Sequence, residues 1–494
     1  MKPALQSLTS APLVREYRPR LLIGGELTAA SRGAGFWSIN PANEENAAYI
    51  PTASDADGED AITAARQAFP GWSARPFEER RKIVLRIAEI LRNSSDQFGF
   101  FDTIENGNVL SAMRLDALWA ADRMEYLSAI AYEIKGNVTN LDGSLRYTQL
   151  NPFGVVLRLL PFNHPIASAG VAIAAPLLTG NCVVLKPSPH TSLSALALGE
   201  AIASFVPPGV VNIISSFGDE LPSFLVGHKD IDRISLTGSI AAGKKVMRAA
   251  AERLTPLTLE LGGKNPLIIY PDFDISKAAA IALKGMNLKV QGHSCSSTSR
   301  VLVHRSRAAE FILSLEPLIA RVKVGMPTDP DVEMGAIAFE ALYRQCLEYV
   351  EIGKSEGARL IVGGGRPHSL PNDRGYFIRP VLFDEVHPTM RIAREEIFGP
   401  ILSIMTWEDE DEMFEIVNGL EVGLTAVILT NDVSCALRSA KKVKAGYVEI
   451  NNPVSHAAGS PFGGVQMSGF GREGSIDELL SYIQTKSIGI VGYG

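Results

Sequence analysis

Four short segments hold side chains that could do chemistry. Cys295 lies in Gln291-Gly292-His293-Ser294-Cys295-Ser296-Ser297, among small polar residues and just before an apolar stretch. A cysteine on such a loop can be reached, and its thiolate is a strong nucleophile. A purely structural thiol more often sits among aliphatics, as Cys182 does in Cys182-Val183-Val184-Leu185. Glu260 ends the apolar run Leu257-Thr258-Leu259, just ahead of Gly262-Gly263-Lys264. Burial there would raise its pKa toward that of a useful base; a solvent-facing strand edge or a pairing with Lys264 is the plainer alternative. Asn163 stands between Pro161-Phe162 and His164-Pro165. A side-chain amide fixed in that way is a good oxyanion donor, though a turn asparagine can also simply bond its own backbone. Thr237-Gly238-Ser239 follows a strand and precedes a helix, where free N–H groups bind phosphate or Ser239 serves only as the helix cap.

The elements that must position these groups alternate between strand and helix. Gly154–Leu160 reads as a short apolar strand ending at Pro161, followed by a small-residue helix over about 167–178. Cys182–Lys186, stopped by Pro187, is the next strand; a helix over 192–205, a strand over 210–214, a strand over 233–236 and a helix over 242–252 follow. Strands without polar alternation, separated by helices, indicate a parallel sheet covered on both faces. Such sheets place ligands beyond the strand C-termini, which is where Asn163, Ser239 and Glu260 fall. Further strands, at 266–270, 300–303 and 426–429, belong to a second α/β stretch reaching about residue 452. Upstream, helices are expected over 60–69 and 78–93.

Composition narrows the class. The 494 residues are 46% hydrophobic and 20% charged, the balance of a globular chain of several modules. A net charge of −7 argues against a general nucleic-acid or anionic-membrane binder. The longest apolar run, about 166–178, contains Pro176 and is shorter than the roughly 20 residues of a membrane helix. Four cysteines without a C-x-x-C pair make neither a disulfide framework nor a structural zinc site; no metal is expected, and the reducing cytoplasm is the simplest location. The first 20 residues lack the apolar core of a signal peptide and read as a short tail. Gly469-Phe470-Gly471-Arg472-Glu473-Gly474 matches G-x-G-x-x-G but follows a turn-rich loop rather than a buried strand, so it is not expected to cradle phosphate. Asp55-Ala56-Asp57-Gly58 lacks a calcium ligand ladder and is expected to cap the next helix.

Taken together and in order, the segments resemble the aldehyde dehydrogenase superfamily. The series runs Asn163 in P-x-N-x-P, Lys186-Pro187, Thr237-Gly238-Ser239, Glu260-Leu261-Gly262-Gly263-Lys264 and Cys295. It continues with Glu395-Glu396-Ile397-Phe398-Gly399-Pro400, Pro461-Phe462-Gly463-Gly464 and Ser468-Gly469-Phe470-Gly471-Arg472-Glu473. The similarity extends over about residues 22–474 and takes in Asn40-Pro41-Ala42 and Ala64-Ala65-Arg66.

The resemblance implies thiol-based oxidation of a small-molecule aldehyde. The Cys295 thiolate attacks the aldehyde carbon, the Asn163 amide and the Cys295 N–H hold the oxyanion, hydride leaves for a nicotinamide, and Glu260 activates the water that hydrolyses the thioester. It also implies NAD or NADP as cofactor, bound by Lys186, Gly238, Ser239, Glu396, Phe398, Pro161 and Phe162. Pro189 stands where NAD-preferring relatives often carry a ribose-binding glutamate; NAD is slightly preferred and NADP stays open. His293 replaces the loop glutamine and Gln466 the lysine of P-F-G-G-x-K, changes expected to affect packing alone. Pocket walls implied for the substrate are His164, Ser168, Val171, Ser294, Ser296, His456 and Phe462, a roomy site; Lys289 is expected on the surface.

The fold implied is α/β, with two parallel-sheet Rossmann-like domains plus a small β-hairpin oligomerisation element. Residues 1–130 and 150–262 would bind nucleotide, 263–461 would form the catalytic domain, and 131–149 with 475–494 would make the oligomerisation element of a homodimer or homotetramer, the tail able to add a strand to a neighbour's sheet. Two alternatives share the motif set: acylation of coenzyme A in place of hydrolysis, and a non-enzymatic protein that keeps the fold. The retained Glu260 favours hydrolysis, and the intact trio of Cys295, Asn163 and Glu260 favours an enzyme.

Overall fold

Two parallel sheets, each with its own apolar core, face one another across the chain's chemical segments. The computed structural model describes residues 10–141, 144–368, 370 and 372–491. The first nine residues of the expected N-terminal tail lie outside the described residues; the tail's next stretch, Ala11–Glu16, is a short helix.

The first sheet has five parallel strands, Val155–Leu159, Cys182–Lys186, Val211–Ile213, Arg233–Thr237 and Leu257–Glu260. Their spatial order is third, second, first, fourth, fifth. The order therefore reverses between Val155–Leu159 and Arg233–Thr237, and an open α/β sheet has its ligand crevice beyond the strand ends at such a point. All residues of Val155–Leu159 and Cys182–Lys186 are buried, as strands covered on both faces must be. The helix Pro165–Leu178 is apolar all round, and every residue but Ser168 is buried; such a helix belongs inside a protein. Antiparallel strands finish both edges: Leu21–Ile23 pairs with Val211–Ile213, and Gly469–Phe470 pairs with Leu259 and Glu260.

That edge strand explains the rejected glycine motif. Gly469 has φ +104°, and a Cβ there would lie 1.9 Å from the Leu259 carbonyl oxygen, so only glycine lets the two backbones meet. Asp57 likewise caps as expected: it forms a reciprocal capping box with Ser54, which starts the helix at Asp55, five residues earlier than periodicity alone suggests.

The second sheet has six parallel strands in the order Val381–Asp384, Ile401–Trp407, Thr298–His304, Asn265–Ile269, Thr425–Leu429, Tyr447–Ile450, with Arg359–Val362 antiparallel at one edge. Glu260 thus ends a strand of the first sheet, and after only four intervening residues Asn265 starts a strand of the second. Cys295 lies just before Thr298–His304, the neighbour of Asn265–Ile269. The C-terminal end of one sheet and the N-terminal entry of the other are thereby brought together. A third, antiparallel sheet joins Val138–Leu141, Ser144–Pro152 and the tail strand Ile483–Ile490, which pairs with Ser144–Pro152 of its own chain. Among the described residues, no helix is long and apolar enough to cross a membrane.

Candidate active site

A cavity of about 370 Å³ opens at the switch point of the first sheet. Asn163, Glu260 and Cys295 all line it. Asn163 reaches it because Pro161 and Pro165 turn the chain sharply after strand Val155–Leu159; its Nδ2 donates to the His293 carbonyl at 2.8 Å, and its own carbonyl accepts from Asn108 Nδ2 at 2.8 Å. The amide is thus tied to the cysteine loop two residues before Cys295, and its second N–H is left for a ligand. Asn265, which sequence reasoning missed, fixes the same loop from the other side: its Nδ2 donates to the carbonyls of Cys295 (2.7 Å) and Ser297 (2.9 Å).

Cys295 is half-buried, whereas Cys182, Cys346 and Cys435 are fully buried. Burial, with the Glu260 and Glu396 carboxylates adding, pushes its thiol up to about 12. Glu260 is 5% exposed, and neither carboxyl oxygen has a hydrogen-bond partner among the described residues. Burial, reinforced by Glu473, holds its pKa well above the ordinary carboxylate range. A solvent-facing edge and a pairing with Lys264 are both excluded, because the Lys264 amine is buried and equally unpartnered. Burial and the Arg300 charge push that amine down to about 7.

Of the expected pocket walls, His164, Ser168, Val171, Ser294, His456 and Phe462 line the cavity. Ser296 does not; it stands behind the wall, bonded to His456 Nε2 and Ser294 Oγ at 3.0 Å each. Lys289 is exposed and away from the cavity. Asp116, Trp119, Arg158, Thr237 and Glu473 line it without having been expected. Asp116 and Trp119 are three residues apart on helix Leu110–Ile130, a spacing that puts them on one face, but nothing in their neighbourhood marks that face as ligand-bearing.

The expected cofactor residues divide between two further openings. Lys186 and Ser239 line a groove of about 460 Å³, along with Ser188, Pro189, Asp219 and Lys245. Its walls include Pro222, Val226, Val246 and Ala249. An apolar slot flanked by cations and hydroxyls beside a helix N-terminus fits an adenosine diphosphate moiety. Ser239 caps that helix, accepting from Ala242 N at 3.2 Å, so capping and proximity to the groove coexist. Burial pushes Lys186 down to about 8. Glu396 and Phe398 line a small cleft with Gly263 and Gly292. Glu396 accepts from Gly263 N at 3.1 Å, and a Cβ on Gly262 would strike its carboxylate.

Pro161 lines the first cavity, whereas Gly238 and Phe162 line none of these openings. Phe162 packs edge-on against both His293 and Phe398. His293 is fully buried, stacks parallel to Phe398, and has no partner for either ring nitrogen among the described residues; burial pushes it down to about 3. It acts as a neutral packing ring, so the departure from the loop glutamine is a change of packing. Leu160 borders both the first cavity and the groove. A nucleotide in one and a substrate in the other would meet there.

The aldehyde dehydrogenase family profile matches residues 28–488. The chain belongs to the aldehyde dehydrogenase family. It is 38% identical to the aldehyde dehydrogenase tropH of Talaromyces stipitatus over 92% of this chain and 89% of that protein. It is 37% identical to a betaine aldehyde dehydrogenase of Brucella anthropi over 94% and 96%. Among solved structures, the NAD+ complex of an aldehyde dehydrogenase from Bacillus cereus superposes with a TM-score of 0.94 at 32% identity, covering 100% of this chain and 99% of that one. The activity of this aldehyde dehydrogenase is NAD(P)-dependent oxidation of an aldehyde to the carboxylic acid. No histidine, cysteine or carboxylate cluster able to hold a metal occurs among the described residues.

Proposed function

We propose that Cys295 is the nucleophile, Asn163 the oxyanion donor and Glu260 the hydrolytic base of this oxidation. The observation that carries it is the Glu260 carboxyl, buried with both oxygens unpartnered in the wall of the cavity that holds the one half-buried thiol. Leaving a buried polar group unpaired costs about 1–3 kcal/mol, so such a group is best explained by a partner that comes with the reaction.

Once its thiol proton has passed to solvent in the open cavity, the Cys295 thiolate adds to the aldehyde carbon, and the free Asn163 N–H with the Cys295 backbone N–H holds the resulting oxyanion. A bound nicotinamide would supply positive charge and an acceptor for the hydride released from the thiohemiacetal carbon. Glu260, held toward its protonated form by burial, must lose its proton to act; it then takes one from a water that attacks the thioester, releasing acid and free Cys295. Lys186 and Ser239 would hold the adenosine diphosphate half, Glu396 the nicotinamide ribose, and Phe398 the ring's surroundings. Pro189 adds no carboxylate to the groove beyond Asp219, which leaves NADP open beside a slight preference for NAD. Phe162 packs against Phe398, Gly238 N donates to the Glu260 carbonyl at 3.0 Å, and Ser296 supports the substrate wall.

Residues 1–130 with 150–262 form the nucleotide-binding unit and 263–461 the catalytic one. The segments 131–149 and 475–494 act as the oligomerisation element of a homodimer or homotetramer. One edge of Ile483–Ile490 has no strand partner among the described residues, which suits addition to another subunit's sheet. The protein works in the cytoplasm. Trapping the acyl intermediate tests the central assignment: mass spectrometry after one turnover should place the acyl group on Cys295, and a Cys295→Ser variant that still forms NAD(P)H would overturn it.

A further inference from the structure

One wall of the substrate cavity takes no part in these steps. His164 precedes helix Pro165–Leu178 and Ser168 follows one turn later, its N–H bonded to the His164 carbonyl at 2.9 Å. Ser168 is the one residue of this helix that is not buried, and its hydroxyl has no hydrogen-bond partner among the described residues. His164 Nδ1 is bonded to Asp116 Oδ2 of helix Leu110–Ile130 at 2.7 Å. That bond fixes the ring, and Nε2 is left without a partner among the described residues.

The rest of the cavity asks for little polarity. On another part of the wall, His456 Nε2 and Ser294 Oγ are both bonded to Ser296 Oγ behind it. Leu160, Ala167, Val171, Trp119 and Phe462 make the apolar surface. Glu473 is paired with Arg158 at 3.2 Å, and Asp116 with His164. Apart from Glu260, no lone cation or lone anion among the described residues faces a substrate, so neither a carboxylated nor an ammonium-bearing aldehyde meets an unpaired partner there. Thr237, which also carries a hydroxyl, lines the cavity too, but the two open valences of this one wall, a ring nitrogen and a hydroxyl, suit a neutral group that both donates and accepts. A hydroxyl does this; an ether oxygen only accepts. The volume, about 370 Å³, has room for an aromatic ring between this wall and Cys295.

We infer that His164 and Ser168, with Asp116 as the positioning residue, select ring-sized aldehydes that carry a hydroxyl remote from the reacting carbon. This rests on Cys295 being the nucleophile of the same cavity.

The test compares kcat/KM for 3- and 4-hydroxybenzaldehyde, their methoxy counterparts and benzaldehyde. In the wild type the better hydroxyaldehyde should exceed both benzaldehyde and its methoxy counterpart by about tenfold, the size of one neutral hydrogen bond. Ser168→Ala, which removes one oxygen atom, should cut that preference several-fold. His164→Phe should bring it close to one, through KM for the hydroxyaldehyde. Asp116→Ala should act like His164→Phe, whereas Asp116→Asn, whose amide oxygen still accepts from Nδ1–H, should restore most of the preference. A wild-type preference near one, or a methoxyaldehyde used as well as the hydroxyaldehyde, overturns the inference. So does a His164→Phe variant that slows all five aldehydes by one factor, which marks a structural role. If His164→Phe does not fold, Ser168→Ala decides. Cys295→Ser run alongside separates the two levels: activity surviving there sinks the nucleophile assignment, while a silent Cys295→Ser beside a wild-type preference of one sinks this inference alone.

Discussion

Glu260→Gln separates the two halves of the reaction. The substitution keeps the side chain's shape and removes the base. Neither oxygen of Glu260 has a hydrogen-bond partner among the described residues, so the amide breaks no bond described there, and the variant should melt at or above the wild-type temperature. Loss of a positioned general base costs about 10²–10⁴ in rate, or about 2.7–5.4 kcal/mol at ~1.36 kcal/mol per tenfold. Attack by Cys295 and departure of hydride do not use Glu260. Stopped-flow fluorescence should therefore show a burst of about one NAD(P)H per active site, followed by a steady rate lower by that factor. Acyl-enzyme should accumulate on Cys295. In the wild type, the hydrolysis-limited rate should rise with pH through the elevated Glu260 pKa, because the ionised form is the base; the variant should lose this rise. A steady rate reduced less than about tenfold, or burst and steady rate falling together, would refute the assignment.

Other perturbations read other parts of the site. Asn163→Ala should lower kcat by roughly 10²–10³, the usual worth of one oxyanion donor, with near-native cofactor binding by fluorescence titration. Pro189→Glu puts a carboxylate beside Lys186 in the groove and should raise KM for NADP at least about tenfold relative to NAD, since it repels a 2′-phosphate at close range. Lys264→Met removes a buried, unpartnered amine. The folded-state pKa of Lys264 is depressed to about 7, so the wild type loses stability as pH falls toward that value, and the variant's advantage in Tm should grow in the same direction. Glu105 accepts from Leu193 N at 2.8 Å, and burial pushes it up to about 7. Its contribution is full below the ordinary glutamate range and is lost as pH rises through about 7; scanning calorimetry should find wild type losing ground to Glu105→Gln between about pH 5 and about pH 8.

Residues with local signatures were legible in the chain. Unalternating strands stopped by Pro161 and Pro187 located the first sheet and the ends where ligands gather. The ordered motifs located Cys295, Glu260 and Asn163, which the structure brings into one cavity. Features that depend on distant packing were not legible. The His164–Asp116 bond spans 48 residues between two helices, and no spacing rule announces it. Asn265 looked like a strand residue and instead holds two carbonyls of the cysteine loop. Ser296 has the right neighbours in sequence but turns into the wall, because its hydroxyl is claimed by His456 and Ser294. Phe162 fits the cofactor motif yet spends its ring on His293 and Phe398.

The first sheet is closed at its Glu260 edge by Gly469–Phe470, and the same core takes in Leu479 and Tyr482, the latter bonded through its hydroxyl to buried Arg158. These pieces are synthesised after the whole second sheet. On the ribosome, the amino-terminal half must wait with an open edge and an unfilled core until Gly469–Phe470, Leu479 and Tyr482 have been made. Stalled or prematurely terminated chains would thus present that raw edge to chaperones and proteases, even though every residue of the earlier strands had long since emerged.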